Sequence, residues 1–274
     1  MLFVTDFDGT LLNDDGFVSP TDIAMLHRLG NLGFVRVIAT GRSPFSLAKA
    51  IDASFPVDYV IFSTGAGIYN WATKELLYTR HLEGEVLSEV ANIFKGEDLT
   101  FMVQHEIPEN HYFSIHYGAN HSEGTNNRLR IYEDYYKPLL FSAFPEKVAQ
   151  FLAVLPKDDH YFECLKRKFS DVKVIKATSP LNDGYYWMEI FAEDVSKAKA
   201  IEWLQNIFQT STNDVMVVGN DYNDLDMLHA YQNSYVVENS PDEFKVLFTP
   251  VASNNNSGFS DACNQFLTQK GIGV

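Results

Sequence analysis

The chain has 274 residues, of which 46% are hydrophobic, and its formal net charge is -15 at pH 7. This length allows one large domain or two modest ones, and we expect two. The acidic balance disfavours nonspecific binding to nucleic acids or anionic membranes, because the field of the whole molecule repels phosphate polymers. It does not exclude a small phosphorylated ligand, since a metal ion and one or two lysines reverse the potential locally.

Features of the whole sequence also bear on location. No apolar stretch approaches the ~20 residues that span a bilayer, and an acidic motif at residue 6 leaves no room for a signal peptide. The two cysteines, Cys164 and Cys263, lie far apart and fit neither a metal nor a redox spacing, as in a reducing compartment. We expect a cytoplasmic protein without a membrane, nucleic-acid or obligate protein partner.

The first predicted strand ends in two aspartates. The apolar residues 2–4 lead into Asp6 and Asp8, which alternation places on one side while Phe7 turns away. Two close carboxylates repel each other unless a cation or a shared proton offsets the repulsion, and Mg²⁺ is the simplest cation. Gly9 permits a sharp turn whose amides could cradle an anion. An ordinary acidic turn is the alternative interpretation.

A strand, helix and strand pattern follows. Residues 21–32 predict an amphipathic helix and residues 34–39 an apolar strand, which together form a βαβ unit of a parallel sheet. The strand breaks at residues 40–44, a helix is predicted to about residue 53, and residues 57–62 form another strand. Ligands gather beyond the carboxyl ends of such strands.

The middle of the chain has a more antiparallel pattern and predicts an inserted α+β domain at residues 81–191. Its predicted helices are 85–94 and 158–169, and its predicted strands are 99–105, 112–117, 148–155, 172–177 and 185–191. A long aromatic and polar stretch runs through Tyr136. Residues 1–80 and 192–274 then form the core domain.

The parallel pattern resumes after the insertion. A helix is predicted at 197–208, a buried strand at 215–218, a helix to about residue 230 and a strand at 235–237. The buried strand breaks into Gly219-Asn220-Asp221-Tyr222-Asn223-Asp224. Viewed alone, such a run of acidic and amide residues is more often a solvated turn than a site.

Four motifs in order resemble the haloacid dehalogenase-like hydrolases, and in detail the Cof-type phosphatase branch, subfamily IIB. The motifs are Asp6-x-Asp8-Gly9-Thr10, the strand end Ile38-Ala39-Thr40-Gly41-Arg42, Lys197 at a helix start, and residues 219–224. The resemblance implies an α/β fold, with a Rossmann-like parallel-sheet core and an α+β cap inserted between the second and third motifs. It also implies that the cap selects the substrate.

The resemblance implies a role for each motif residue. Asp6 would be the nucleophile that forms an aspartyl-phosphate, and Asp8 the general acid and base. Thr40 and Lys197 complete the implied catalytic set. The implied phosphate-binding residues are Phe7, Gly9, Thr40, Gly41, Arg42, Lys197 and Asn223. The implied Mg²⁺ ligands are Asp6, Asp8 through its backbone carbonyl, Asn220 and Asp224.

Three positions leave alternatives open. Relatives usually have aspartate where this chain has Asn220, and we favour Asn220 as the ligand with Asp224 behind it; Asp221 replaces it only if the loop shifts by one residue. Thr64 stands where relatives commonly have asparagine, which weakens any inference about substrate. Arg42 either faces the substrate or pairs with an acidic neighbour.

The preferred function is a Mg²⁺-dependent phosphatase that hydrolyses a small phosphorylated metabolite, with a sugar phosphate favoured by the resemblance. The alternatives are a sugar phosphomutase and a non-catalytic phosphometabolite-binding protein with a weakened metal site. Candidate substrate contacts in the cap are His105, His116, Tyr117, Arg128, Arg130, Trp187 and Glu189.

Overall fold

A computed structural model of the protein describes residues 1–179 and 184–273. The chain forms two compact units. The core unit consists of Met1–Tyr78 and Ser196–Val274, and the inserted unit consists of Thr79–Val195.

The helices and strands follow one another in three parts of the chain. The first part contains β1 Leu2–Thr5, α1 Pro20–Asn31, β2 Val35–Ala39, α2 Pro44–Leu47, β3 Tyr59–Phe62, β4 Gly67–Asn70 and β5 Leu76–Thr79. The middle part contains β6 Leu82–Glu83, α3 Glu85–Gly96, β7 Phe101–Gln104, β8 Phe113–His116, α4 Glu123–Ile131, β9 Tyr136–Pro138, β10 Lys147–Val148, β11 Gln150–Pro156, α5 Asp159–Lys166, β12 Val172–Thr178 and β13 Tyr185–Ala192. The last part contains α6 Lys197–Ile207, β14 Val215–Gly219, α7 Leu225–Ala230, β15 Asn233–Val237, α8 Asp242–Leu247, β16 Thr249–Val251 and α9 Gly258–Gln269.

The core unit is built on an eight-stranded sheet with the order β16-β15-β14-β1-β2-β3-β4-β5. The strands from β16 to β3 are parallel, and β4 runs antiparallel to β3. Leu2 and Val4 pack with Leu204 of α6 on one face, while Phe3 contacts Phe266 of α9 on the other. Because both faces are covered, the strands are continuous apolar runs.

The central strands of this sheet end level with one another. Thr5, the last residue of β1, lies opposite Ile38 of β2 and Val218 of β14. The three loops that follow these strands therefore emerge at one edge, where open α/β sheets bind their ligands.

The inserted unit has a six-stranded sheet with the order β12-β13-β11-β7-β8-β9, in which the described pairs are antiparallel except β8 and β9. One face packs against Phe94 of α3 and Phe162 of α5. On the other face Leu129 of α4 packs with Met102 and Leu152. The predicted fold class, a Rossmann-like parallel core with an inserted α+β unit, is confirmed.

One local prediction is wrong, and one helix was not predicted. The helix predicted to about residue 53 ends at Leu47, because the Lys49 and Ala50 amides bond three residues back. The Asp52 carboxylate then accepts a 2.7 Å hydrogen bond from the Ser54 amide to form a turn. The stretch before Tyr136 contains α4, which was not expected. Its Gly, Thr and Asn residues are weak helix formers, and it begins where Ser122 accepts a hydrogen bond from the Thr125 amide at 3.1 Å.

Within the described residues, no helix is long and apolar enough to cross a membrane.

Candidate active site

The candidate site is at the edge where β1, β2 and β14 end. Asp6 continues β1, and its amide donates to the Val218 carbonyl at 2.9 Å. Thr40 continues β2, and its amide donates to the Ile61 carbonyl at 2.8 Å. These backbone bonds fix where both side chains leave the sheet.

Lys197 lies between two carboxylates. It is the first residue of α6, whose N-cap Ser196 accepts a hydrogen bond from the Lys199 amide at 3.1 Å. The Lys197 Nζ donates to Asp6 Oδ1 and to Asp224 Oδ1, each at 2.6 Å, and its side chain is 0% exposed. Burial alone would lower the pKa of Lys197, but the carboxylates of Asp224 and Asp6 outweigh it and raise that pKa above its ordinary range. The ammonium is therefore a fixed charge of the site.

Asp6 is in an anionic environment despite this ion pair. Burial raises the pKa of Asp6 to about 8, with a further contribution from Asp224, while Lys197 opposes the change. Two buried carboxylates thus share one ammonium, and a second cation beside Asp6 would complete the charge balance. Among the described residues, no group of three or more His, Cys, Asp or Glu side chains is arranged to hold a metal. A metal here would therefore need amide or backbone oxygens as well as carboxylates.

Asp224 braces its own loop. The carboxylate is 0% exposed, and its Oδ2 accepts hydrogen bonds from the Asn220 amide at 2.8 Å and the Asp221 amide at 3.0 Å. Its Oδ1 accepts from Lys197. Gly219 makes room for this arrangement, because a Cβ there would lie 2.6 Å from the Asp224 Cγ. Asp224 thereby links the turn after β14 to the start of α6.

Asn220 lies against the first motif. Its Oδ1 accepts a hydrogen bond from Thr10 Oγ1 at 3.2 Å. Gly9 has a φ of +71°, and a Cβ on it would lie 2.5 Å from the Asn220 Nδ2. A glycine is required here on both counts. The contact brings an amide carbonyl oxygen to the loop that carries Asp6 and Asp8.

Asp8 pairs with Arg42, which settles the two alternatives for that arginine in favour of an acidic neighbour. Arg42 Nη2 donates to Asp8 Oδ1 at 2.6 Å, and Arg42 Nε donates to Asp8 Oδ2 at 2.8 Å. The Arg42 guanidinium carbon is also 5.1 Å from the centre of the Phe7 ring, and Phe7 is fully buried. This bidentate geometry orients the Asp8 carboxylate.

Polar side chains lie close to Gly41. Thr40 is fully buried, and its Oγ1 accepts a hydrogen bond from the Arg42 amide at 3.1 Å. A Cβ placed on Gly41 would lie 3.5 Å from Asn223 Nδ2 and 3.6 Å from Thr64 Oγ1. Thr64 was not among the predicted site residues. The signal that marks it is the glycine-containing turn directly after β3.

The structure divides the candidate contacts of the inserted unit into two sets. Arg128, Trp187 and Glu189 belong to one cluster, in which Arg128 and Glu189 are buried and Trp187 is half-buried. The Arg128 guanidinium carbon is 4.5 Å from the Trp187 ring centre. Gln150 Nε2 donates to Glu189 Oε1 at 3.3 Å in the same cluster.

The other candidates have separate surroundings. Arg130 is exposed and pairs with Glu123 at 2.9 Å, and Tyr117 is exposed. The His105 ring centre is 6.1 Å from that of Tyr112, whereas the His116 ring centre is 5.1 Å from that of Phe101. The structure therefore does not gather the predicted histidines into one group.

Comparison with known proteins identifies the family. The sequence profile of the haloacid dehalogenase-like hydrolases matches residues 3–262. The chain belongs to this family.

Named relatives agree with the family. A putative phosphatase of Haemophilus influenzae is 23% identical over 261 residues, which cover 92% of each chain. A 5-amino-6-(5-phospho-D-ribitylamino)uracil phosphatase of Bacillus subtilis is 23% identical in an alignment of 282 positions, gaps included, that covers 96% of each chain. A solved structure described as a HAD subclass IIB sugar phosphatase is 18% identical, with a TM-score of 0.76 and coverage of 97% of this chain and 98% of that one. The resemblance to the Cof-type branch and the prediction of a phosphatase enzyme are confirmed.

Proposed function

We propose that the protein is a Mg²⁺-dependent phosphatase that hydrolyses a small phosphorylated metabolite through an aspartyl-phosphate on Asp6. The observation that carries this proposal is the position of Lys197 Nζ, 2.6 Å from both Asp6 and Asp224, together with the Asp8–Arg42 pair two residues along the chain from Asp6. A nucleophile, a fixed cation and an oriented second carboxylate are the groups that phosphoryl transfer through a carboxylate needs.

Asp6 performs the first displacement. Lys197 holds its Oδ1, and no hydrogen bond from the described residues reaches its Oδ2. An oxygen of Asp6 attacks phosphorus, a new O–P bond forms, and the bond from phosphorus to the ester oxygen breaks. Asp8, protonated at the start of this step, gives its proton to the departing alkoxide.

Water then completes hydrolysis. Asp8, now ionised, takes a proton from a water molecule as its oxygen attacks the phosphorus of the aspartyl-phosphate. The bond between phosphorus and the Asp6 oxygen breaks, inorganic phosphate leaves, and both aspartates return to their starting states. Arg42 binds both oxygens of the ionised Asp8 carboxylate, so it orients the form of Asp8 that accepts the proton from water.

The donor set fits Mg²⁺. We assign the ion to the Asp6 carboxylate, the Asp8 backbone carbonyl and the Asn220 amide oxygen, since hard cations prefer oxygen ligands. When bound, the ion neutralises charge on the phosphoryl oxygens. Asp224 would support the metal site without binding the ion directly, because its two oxygens contact Lys197 and the amides of its own loop.

A sugar phosphate is the proposed substrate class. The description of one structural relative as a sugar phosphatase supports it, and so does the polar cluster of the inserted unit, where a carboxylate, amides and an indole ring offer hydroxyl-binding and stacking groups. We assign substrate selection to that unit.

Phosphate release tests this function. The purified protein is incubated with an aryl phosphate and a panel of phosphorylated metabolites, with and without Mg²⁺. We expect Mg²⁺-dependent release that the Asp6→Asn substitution abolishes, with sugar phosphates among the best substrates. Binding of phosphorylated metabolites without any turnover would overturn the hydrolase in favour of a binding protein. Interconversion of two sugar phosphates without free phosphate would indicate a mutase.

A further inference from the structure

The turn after β3 has an unusual backbone. Ser63, Thr64 and Gly65 have φ values of 47°, 56° and 104°. The left-handed region is unfavourable for residues with a Cβ, and most of all for a β-branched residue such as threonine. A glycine or asparagine would adopt the same conformation at lower cost. Thr64 therefore occupies a position that backbone preference alone would give to another residue.

Neighbouring segments of the candidate site hold this turn in place. The Ser63 amide donates to the Arg42 carbonyl at 2.9 Å, and the Thr64 amide donates to the Thr40 carbonyl at 3.0 Å. On the other side, a Cβ on Gly65 would lie 2.2 Å from the Ser196 carbonyl oxygen, directly before Lys197. The turn is thus wedged between the loop after β2 and the first residues of α6. Strain of this kind persists where the surroundings over-determine the backbone, and it concentrates at functional sites.

These contacts of the turn fix the Thr64 hydroxyl beside Gly41. Thr64 Oγ1 lies 3.6 Å, and Asn223 Nδ2 3.5 Å, from the position that a Gly41 Cβ would occupy. The loops after β3 and β14 therefore each place a small neutral polar group beside Gly41, which itself follows β2. Thr64 is 1% exposed, which matches the burial of Asp6 at 4% and Thr40 at 0%.

A phosphoryl group at this position would have to be held by donors that add no negative charge. Asp6 and Asp224 already supply two buried carboxylates, so a third acidic side chain near Gly41 would repel it. A hydroxyl and an amide donate hydrogen bonds without adding charge.

We infer that Thr64 is a phosphate-binding residue of the proposed active site, and that its hydroxyl donates to a non-bridging oxygen of the phosphoryl group beside Asn223 and the Gly41 amide. This inference rests on the proposed function for the identity of the substrate. The contact concerns phosphate alone, so it serves every phosphomonoester equally and also serves the product, inorganic phosphate.

Phosphate binding provides a test that does not need turnover. The dissociation constant of inorganic phosphate is measured by calorimetry on the full chain with Mg²⁺. Thr64→Val keeps the branched shape but removes the hydroxyl, so we expect phosphate affinity to fall roughly tenfold. Thr64→Ser keeps the hydroxyl and is expected to remain within about twofold of the original affinity.

A second pair of variants separates binding from folding. Thr64→Gly is expected to raise the unfolding midpoint in urea, because it relieves the left-handed backbone, while phosphate affinity falls as in Thr64→Val. Gln209, which is exposed after α6 and has a φ of 48°, supplies the matched control. Gln209→Gly is expected to raise the midpoint and leave phosphate affinity unchanged.

The outcomes distinguish this inference from the proposed function. Unchanged phosphate affinity in a folded Thr64→Val or Thr64→Gly variant would overturn the inference even if the protein hydrolyses phosphomonoesters. A KM increase that depends on the leaving group, with unchanged phosphate affinity, would also overturn it. Loss of phosphate affinity in a protein that releases no phosphate from any substrate would support the anion site and overturn the hydrolase.

Discussion

The core unit and the inserted unit bury their charged groups in different ways. In the core unit the carboxylates of Asp6 and Asp224 lie in the loops that follow parallel strands, and Lys197 at the start of α6 balances them at 2.6 Å from each. In the inserted unit Arg128 is buried on the face of a sheet, where its guanidinium carbon is 4.8 Å from the Tyr132 ring centre and 4.5 Å from that of Trp187. Backbone geometry thus assembles the first set, whereas side-chain packing assembles the second.

This contrast has a functional consequence. Groups held by strand ends act on whatever phosphoryl group arrives, so their loss should affect all substrates alike. Groups on a sheet face can change without disturbing the backbone, so their loss should change the preference among substrates. Four substitutions test the contrast.

The largest effect is expected at Lys197. Lys197→Met leaves Asp6 and Asp224 as two uncompensated buried carboxylates, which should cost about 3–5 kcal/mol in the free energy of unfolding and lower kcat on the order of 10³-fold for every substrate. Urea denaturation and phosphate release measure the two effects. The neighbouring Lys199, exposed and paired with Glu202, is the control, and Lys199→Met should change stability by less than about 0.5 kcal/mol. Equal effects at the two lysines would contradict the assigned role of Lys197.

Arg42 is expected to have the next largest effect. Arg42→Met frees the Asp8 carboxylate, so kcat should fall about 10²-fold for alkyl phosphates and less for an aryl phosphate, whose leaving group needs little protonation. Arg36 makes a similar bidentate pair with Asp58, with its Nη2 2.6 Å from the carboxylate. Arg36→Met should therefore lower stability but leave kcat unchanged. The same loss of kcat for both classes of ester would exclude a role for Arg42 in orienting the proton donor.

Glu189 tests the inserted unit. Glu189→Gln keeps an acceptor for Gln150 but removes the charge, and we expect kcat/KM to fall about tenfold for the best sugar phosphate. The value for a small aryl phosphate should change by less than about twofold. Glu123, exposed and paired with Arg130, is the matched control for a carboxylate of the same unit. A uniform loss across all substrates would remove the functional distinction between the two units.

Asp221 should give the smallest effect. Asp221→Ala is expected to retain Mg²⁺ affinity and kcat within about threefold, because the assigned ligand of this loop is Asn220. Asn220→Ala should weaken Mg²⁺ binding at least tenfold. Isothermal titration with Mg²⁺ compares the two variants. Near-total loss of Mg²⁺ binding in Asp221→Ala would instead identify Asp221 as the metal ligand of this loop.

Much of the core fold follows from local sequence. Apolar runs broken by polar turns predict the strands that end before Asp6, Thr40 and Gly219, and the level ends of β1, β2 and β14 follow from parallel pairing. Five strands of the inserted unit are likewise predicted from the sequence, namely β7, β8, β11, β12 and β13, whereas the short strands β6, β9 and β10 are not. The helix α4 is not, because its residues have weak helix propensity and its stability comes from packing of Leu129 and stacking of Arg128.

The finer features of the site depend on contacts between distant residues. The spacing between strands decides that Arg42 pairs with Asp8 and that the backbone around Thr64 is held by the loop after β2 and the start of α6. No local sequence pattern contains this spacing. The same holds for Asp224, whose carboxylate contacts Lys197 and the amides of Asn220 and Asp221. Motifs can name such residues, but only packing tells which partner each one contacts.

The ion pair between Asp6 and Lys197 has a consequence for biosynthesis, because 191 residues separate its partners. The central strand β1 pairs with β2 from the same segment but with β14 only after the whole inserted unit has been made. On the ribosome, the proposed nucleophile is synthesised 191 residues before its counter-charge. Non-local closure of this kind slows folding, so the nascent chain cannot assemble this ion pair until α6 has been made.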